Sequence, residues 1–214
     1  MTDEPDAQPT TPTRLIVQMQ MSIDGYVSSD VPGAQWQLWD WGPDWPWTPD
    51  VRARFNALFA SAGGILLSRP MAQEGYLDHW RRTAEAHPDD PDYAFAARIG
   101  QLPKFVVTHG SQGTSWPRTT VLTADLSDAL QEAKRAVKGD LICFGGAGFA
   151  TALLDDGLVD ELQLYVNPRV AARGASIFSE ARVTDRLTLL DATATACGIL
   201  ISRWRPARER VTRA

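Results

Sequence analysis

Two cysteines in 214 residues, Cys143 and Cys197, and three histidines, His79, His87 and His109, give no CxxC pair and no metal-ligand spacing. These counts and spacings argue against a disulfide framework and a structural metal. Each cysteine falls in an apolar, strand-like run and reads as a buried, inert thiol. No apolar run approaches the roughly 20 residues needed to cross a bilayer, so no membrane partner is expected. There is no long basic run, and the net charge is −5 from 21 basic and 26 acidic residues, which argues against nucleic acid as a partner. The GxGxxG dinucleotide fingerprint is also missing. The first residues, MTDEPDAQPTTPTR, have neither the basic nor the apolar region of a signal peptide, and cytoplasm is the default location.

The residues present suffice for a core, with 44% hydrophobic. Residues 1–13 read as a disordered leader, 14–205 as one domain, and 206–214 as a frayed basic tail. Arg14 to Met21, RLIVQMQM, is a first strand, buried at its start and alternating after. Asp24-Gly25 is a turn. Residues 30–49 form a long loop with five of the eight tryptophans, Trp36, Trp39, Trp41, Trp45 and Trp47. So many aromatics must cover something: the core as a lid, a partner subunit or a flat ligand. Thr48-Pro49-Asp50 opens a helix, with Thr48 as N-cap and Pro49 at its first position. Gly63-Gly64 closes it. Ile65 to Leu67 is a short strand, and a helix starting at Ser68-Arg69-Pro70 runs to about Trp80. A helical piece lies near Tyr93 to Ile99, a strand at 104–108, a brief one at 120–122, and a helix at 126–137.

Residues 141–174 are the most informative. The apolar run Leu141, Ile142, Cys143, Phe144 stops at Gly145-Gly146, and a helix and a second strand, Leu162 to Val166, follow. Glycine lets another group approach the backbone, and the free N–H groups opening a helix favour a phosphate. On spacing alone, a plain strand-to-helix turn fits as well as a ligand site. Leu187 to Ala196 and Ile199 to Trp204 read as a closing hairpin. Strands alternating with helices predict an α/β fold with a mostly parallel sheet and helices on both faces. In such sheets ligands sit at the carboxyl ends of the strands, here the loops after Met21, Leu67, Thr108 and Phe144.

Four segments carry a resemblance: SIDGYV (22–27), LLSRPMAQEGY (66–76), KFVVTHG (104–110) and FGGAGFATALLDDGLVDELQLYVNPRVAARGASIF (144–178). Together they resemble the dihydrofolate reductase-like superfamily, above all the reductase domain of the riboflavin-biosynthesis deaminase-reductase and its stand-alone relatives. The resemblance implies a three-layer fold and an NADPH-dependent oxidoreductase acting on a heterocyclic or sugar-linked small molecule. It implies Ser68, Arg69, Thr108 and His109 on the adenosine side of NADPH, with Arg69 toward the 2′-phosphate. Gly145, Gly146, Ala147, Gly148 and Phe149 would pass by the pyrophosphate and nicotinamide. A homodimer is the assembly that analogy suggests. Ser68 stands where the family has glycine, Pro70 where it has a basic residue, Met71 where it has threonine, and Ala172 where it has glycine. These departures leave two alternatives open: a flavin or deazaflavin cofactor, and a non-catalytic nucleotide-binding or interaction protein. Asp50 is the positional candidate for a proton source, with helix capping as its other role. Asp24, a turn former in the other reading, and Trp39, Trp41 and Trp45, by stacking, are candidates for the substrate.

Overall fold

In the computed structural model the first strand, β1 (Leu15–Ser22), is buried along its whole length. Leu15, Val17, Met19 and Met21 join one apolar cluster and Ile16 the other, as strand alternation requires. The structure describes residues 12–32, 36–37, 47–73, 75–110, 116–179 and 187–206. The leader up to residue 11, the tail from 207, and Trp39, Trp41 and Trp45 of the tryptophan loop lie outside them.

A short ribbon, β2 (Ser28–Ser29) with β3 (Trp36–Gln37), follows β1. Then come α1 (Pro49–Ala60), β4 (Ala62–Ser68), α2 (Arg69–Gln73), α3 (Tyr76–Ala86), a 3-10 turn (Pro91–Tyr93) and α4 (Ala94–Gln101). The second half contains β5 (Lys104–Val107), β6 (Thr119–Leu122), α5 (Leu126–Ala136), β7 (Asp140–Cys143), α6 (Ala147–Asp155), β8 (Glu161–Asn167), β9 (Leu187–Ala194) and β10 (Leu200–Pro206). The sheet runs β6-β5-β4-β7-β1-β8-β10-β9. Its first six strands pair in parallel, and the β9–β10 hairpin is antiparallel, as expected.

One cluster packs α1, α3 and α4, through Phe55, Phe59, Trp80, Phe95 and Ile99, on one face of the sheet. The other packs α5 and α6, through Leu130, Ala133, Leu153 and Leu154, on the opposite face. This is the three-layer α/β arrangement the alternating pattern predicts.

Three local expectations change. Gly63 and Gly64 do not close α1 but lie within β4. A Cβ on Gly63 would stand 2.4 Å from the Lys138 carbonyl oxygen, so glycine is what lets β4 run against the segment entering β7. The helix expected from Ser68 to Trp80 is two helices: Ser68 ends β4, and α3 starts after Gly75, a left-handed residue at φ +75°. Thr48 occupies the N-cap position of α1 without a side-chain cap bond; its hydroxyl turns to Asp50 instead.

At the amino ends of the parallel strands lies a charge network. Arg14 bonds Asp140 (Nη2–Oδ2 2.6 Å) and Glu161 (3.2 Å), tying β1 to β7 and β8. Arg203 grips Glu161 through two bonds, of 2.6 and 3.0 Å, and Gln163 donates a third at 2.8 Å. Burial alone would raise the Glu161 pKa, but the bonds from Arg203 and Gln163 and the two guanidinium charges outweigh it and hold the carboxyl below its ordinary value. Its stabilisation is therefore present above the ordinary glutamate pKa of about 4.3 and is lost as pH falls through the lower folded value. Glu161→Gln should cost about 2 kcal/mol, a fall in Tm of roughly 4–8 °C at neutral pH. It should also flatten the acid limb of a stability-versus-pH curve; a variant with wild-type Tm and an unchanged acid limb would show that the network is neutral.

Candidate functional site

The loops after β5, β4, β7 and β1 leave one edge of the sheet side by side, because those strands are consecutive neighbours. Ser68, the last residue of β4, brings two of them into contact: its Oγ lies 3.5 Å from the Gly145 carbonyl oxygen, at the limit of a hydrogen bond. Arg69 opens α2 immediately beside it. The Arg69 side chain reaches toward β5, since a Cβ built on Gly110 would stand 3.2 Å from Arg69 Nη1 and 3.7 Å from Thr108 Oγ1. Thr108 is buried and accepts the Gly110 N–H at 3.1 Å, while His109 is exposed at the same rim.

The glycine turn lies on the other side of Ser68. Gly145 has φ +95° and is joined to Gly146 by a cis peptide. A Cβ on Gly145 would meet Met19 Cε at 2.9 Å, so the turn sits directly on β1. On Gly146 and Gly148 a Cβ would meet nothing within 4 Å, so the outer surface of the turn is open. Gly146 is the N-cap of α6 and offers no side-chain cap to the first-turn amides of Ala147, Gly148 and Phe149. Phe149 is half-buried and packs down onto the α5–α6 cluster, leaving its backbone at the rim. Phe144 points to the opposite layer, with its ring centroid 5.7 Å from Phe59 and 5.3 Å from Tyr76.

The two carboxylates singled out in the sequence are hydrogen-bonded to other segments. Asp50 accepts from Thr48 Oγ1, from its neighbour Val51 N at 3.0 Å and from Ala196 N at 2.9 Å, so it ties the start of α1 to the β9–β10 turn. The Thr48 hydroxyl and the Ala196 amide hold its pKa below the ordinary value. Asp24 accepts from Ala171 N at 3.0 Å and Ala172 N at 2.8 Å, which pulls its pKa down to about 2. Both are anions with their oxygens committed to backbone amides at neutral pH. Neither is placed as a poised acid.

The two cysteines differ. Cys143 is fully buried, and burial pushes its thiol up to about 12, as an inert core group requires. Cys197 is only half-buried in the β9–β10 turn, against the expectation of a core thiol. Burial pushes its pKa up, but the hydroxyls of Thr195, at 3.4 Å, and Thr48, together with the backbone of Ile199 and Thr48, outweigh it and leave the thiol below its ordinary value.

Sequence reasoning missed a set of amides. Gln18, Gln20 and Asn167 are 2%, 4% and 0% exposed. Gln20 and Asn167 touch, with Asn167 Nδ2 donating to Gln20 Oε1 at 3.3 Å. The available signal was two glutamines at alternate positions of a strand that is otherwise apolar from Leu15 to Met21.

A model of the RibD C-terminal domain matches residues 13–201. The protein YyaP of Bacillus subtilis (strain 168), itself uncharacterised, is 19% identical over 187 residues, spanning 87% of this chain and 92% of YyaP. The diaminohydroxyphosphoribosylaminopyrimidine deaminase/5-amino-6-(5-phosphoribosylamino)uracil reductase of Thermotoga maritima superposes with a TM-score of 0.60 at 11% identity, over 92% of this chain and 57% of that one. Dihydrofolate reductase of Enterococcus faecalis, solved with NADP(H), superposes with a TM-score of 0.53 at 12% identity, over 90% of this chain and 96% of that one. At such identities the superpositions establish the fold, which is that of dihydrofolate reductase. With nearly its whole length matched, the chain belongs to the RibD C-terminal domain family, a family of reductases.

Proposed function

We propose that the protein is an NADPH-dependent reductase of a small heterocyclic or sugar-linked metabolite. The observation that carries this reading is the juxtaposition at Ser68: a guanidinium on one side and an open glycine turn with uncapped helix amides on the other. The residues fit the cofactor. Arg69, with Thr108 and His109 at the same rim, would take the adenosine 2′-phosphate, because a guanidinium binds phosphate through paired, charge-assisted bonds. The amides of Ala147, Gly148 and Phe149 would take the pyrophosphate. Gly145 and Gly146 would leave room for the nicotinamide ring. The bound cofactor would supply hydride; the chain binds, orients and excludes water. With Asp24 and Asp50 held as anions, solvent water is the proton source in this reading.

Substrate identity follows the family only at the level of class: the Thermotoga maritima enzyme is named for reducing a uracil bearing a phosphoribosylamino group. A chain that binds nucleotide without turnover is the second reading. It is favoured by Pro70 and by Met71, a buried core residue of α2 where the family has a hydroxyl. NADPH oxidation measured against pterins and pyrimidines separates the two.

Arg69→Ala should weaken NADPH about 10- to 100-fold and NADH less than about twofold, as loss of a charged hydrogen-bonding partner implies. Equal losses for both cofactors in a fluorescence titration would remove the 2′-phosphate role. Gly148→Ala should hold or slightly raise Tm, because alanine is the better helix residue, while lowering NADPH affinity about tenfold by intruding on the open surface. Unchanged affinity would mean that the cofactor does not pass over the turn.

A further inference from the structure

At the amino end of the sheet, α1 and the strands beneath it enclose a cavity of about 190 Å³. Its walls follow from side-chain period. Arg54, Ala57 and Ser61 recur at helical spacing, so one face of α1 and the residue that follows it form the roof. Arg14 just before β1, Glu161 at the start of β8 and Arg203 in β10 line the floor. Register brings them together: Ile16 stands opposite Glu161, and Arg203 opposite Gln163. The glycine turn rests on Met19, five residues along from Arg14, or about 16 Å at the rise of a strand. This cavity is therefore separate from the edge assigned to the cofactor.

Three guanidinium groups from three elements face the one cavity. The side chains of Arg14, Arg54 and Arg203 are 43%, 40% and 34% exposed, so a solute reaches them without rearrangement of the core. In charge the cluster is balanced, because Asp140 and Asp191 hold Arg14 and Arg54 from beyond the cavity wall. In hydrogen bonding it is not. Glu161, the carboxylate in the lining, is saturated: Oε1 accepts from Gln163 and Arg203, and Oε2 from Arg14 and Arg203. A carboxylate has about four acceptor sites, and all are filled. Arg54 is the least committed of the arginines. It donates to Thr193 Oγ1 at 2.7 Å, and its Nη1 lies 3.1 Å from Asp191 Oδ2. That oxygen nevertheless has no hydrogen-bond partner among the described residues, so the pair is poorly aligned. Each guanidinium carries five N–H groups, and most of those on the three arginines have no acceptor among the described residues.

A surplus of charged donors around a small cavity with no free carboxylate oxygen selects an acceptor-rich anion. The number of directions narrows the choice. A carboxylate offers two oxygens in one plane, whereas a phosphate group offers three or more in a tetrahedron and can meet donors from α1, β1 and β10 at once. The volume leaves room for the group and a few carbon atoms, with Ala57, Ile16 and Ile201 as the apolar part of the wall.

We propose that this cavity is a second anion site, which binds a phosphate group between Arg54 on one side and Arg14 and Arg203 on the other. The bound group bridges α1 to β1 and β10, and so fastens the helix to the sheet at the end remote from the cofactor edge. The inference stands whether or not the cofactor assignment does.

The test is made on the full chain, by calorimetry and by Tm, in a zwitterionic buffer with ionic strength held constant by chloride. Inorganic phosphate at about 10 mM should raise Tm by roughly 2–5 °C, the shift of a ligand present at about tenfold its Kd. Arg54→Gln should weaken phosphate about 10- to 100-fold and leave NADPH affinity unchanged. Its Tm without phosphate should stay within a few degrees of wild type, because a partly exposed, poorly aligned ion pair contributes little. Ala57→Glu sets a carboxylate at the mouth with every arginine in place; it should weaken phosphate to a similar degree and provides the comparison if Arg54→Gln folds poorly. Glycerol 3-phosphate separates the sources: tighter binding than phosphate identifies a small phosphomonoester, and equal or weaker binding identifies the free ion. Arg69→Ala separates the two sites, since phosphate binding at this cavity should survive that change. Absence of binding by both phosphate and glycerol 3-phosphate, binding that persists in folded Arg54→Gln or Ala57→Glu, or binding lost in Arg69→Ala overturns the proposal.

Discussion

A strand with neighbours on both sides and helices over both faces cannot move without disturbing everything around it, and β1 is that strand. It lies between β7 and β8, and its odd and even residues belong to different clusters. Three features around it are referenced to it. The glycine turn rests on Met19, the loop after β8 is tied to Asp24 just beyond its end, and the charge network begins at Arg14 just before its start. The tightness of packing at Met19 leaves no space for a Cβ on Gly145, so the turn is held against β1 with its outer surface free. Open and closed sides of one short turn thus follow from a single packing constraint.

The two ends of the sheet have different chemistry. At the amino end, Arg14, Arg203 and Lys134 are neutralised by Asp140, Glu161 and Asp160 within 3.2 Å. These pairs join four strands and a helix. At the carboxyl end the groups beside Ser68 are the main-chain amides opening α6 and the guanidinium of Arg69. Helix N-termini and a guanidinium are groups that favour an anion, which is why the proposed phosphate-bearing cofactor is set at this end.

Much of this was readable in the sequence, for physical reasons. The strand–helix alternation, the closing hairpin and the turn at Gly145-Gly146 are local patterns, and period and glycine placement report them directly. Glycines that serve long-range contacts were not readable. Gly63 and Gly64 look like a helix stop, yet they permit a close approach to Lys138 that only the folded sheet creates. The buried amides were written in the chain as QMQ, but an alternating strand with one wet face gives the same letters. Only the finding that β1 is covered on both sides turns Gln18 and Gln20 from surface residues into core ones. Trp39, Trp41 and Trp45 lie outside the described residues.

The carboxylates make the final point about how the site works. Asp24 and Asp50 attract notice in sequence because acids near strand ends and helix starts are familiar catalytic groups. In the fold each spends its charge on closing a long loop: Asp24 holds the amides of Ala171 and Ala172, and Asp50 holds that of Ala196. Amide donors stabilise the ionised form, so both pKa values drop, and a group with a depressed pKa is a poor proton donor at neutral pH. In the proposed reading, anion affinity at this edge comes not from groups that titrate near neutrality but from Arg69 and the α6 amides. The carboxylates supply the rigidity that keeps those groups in register.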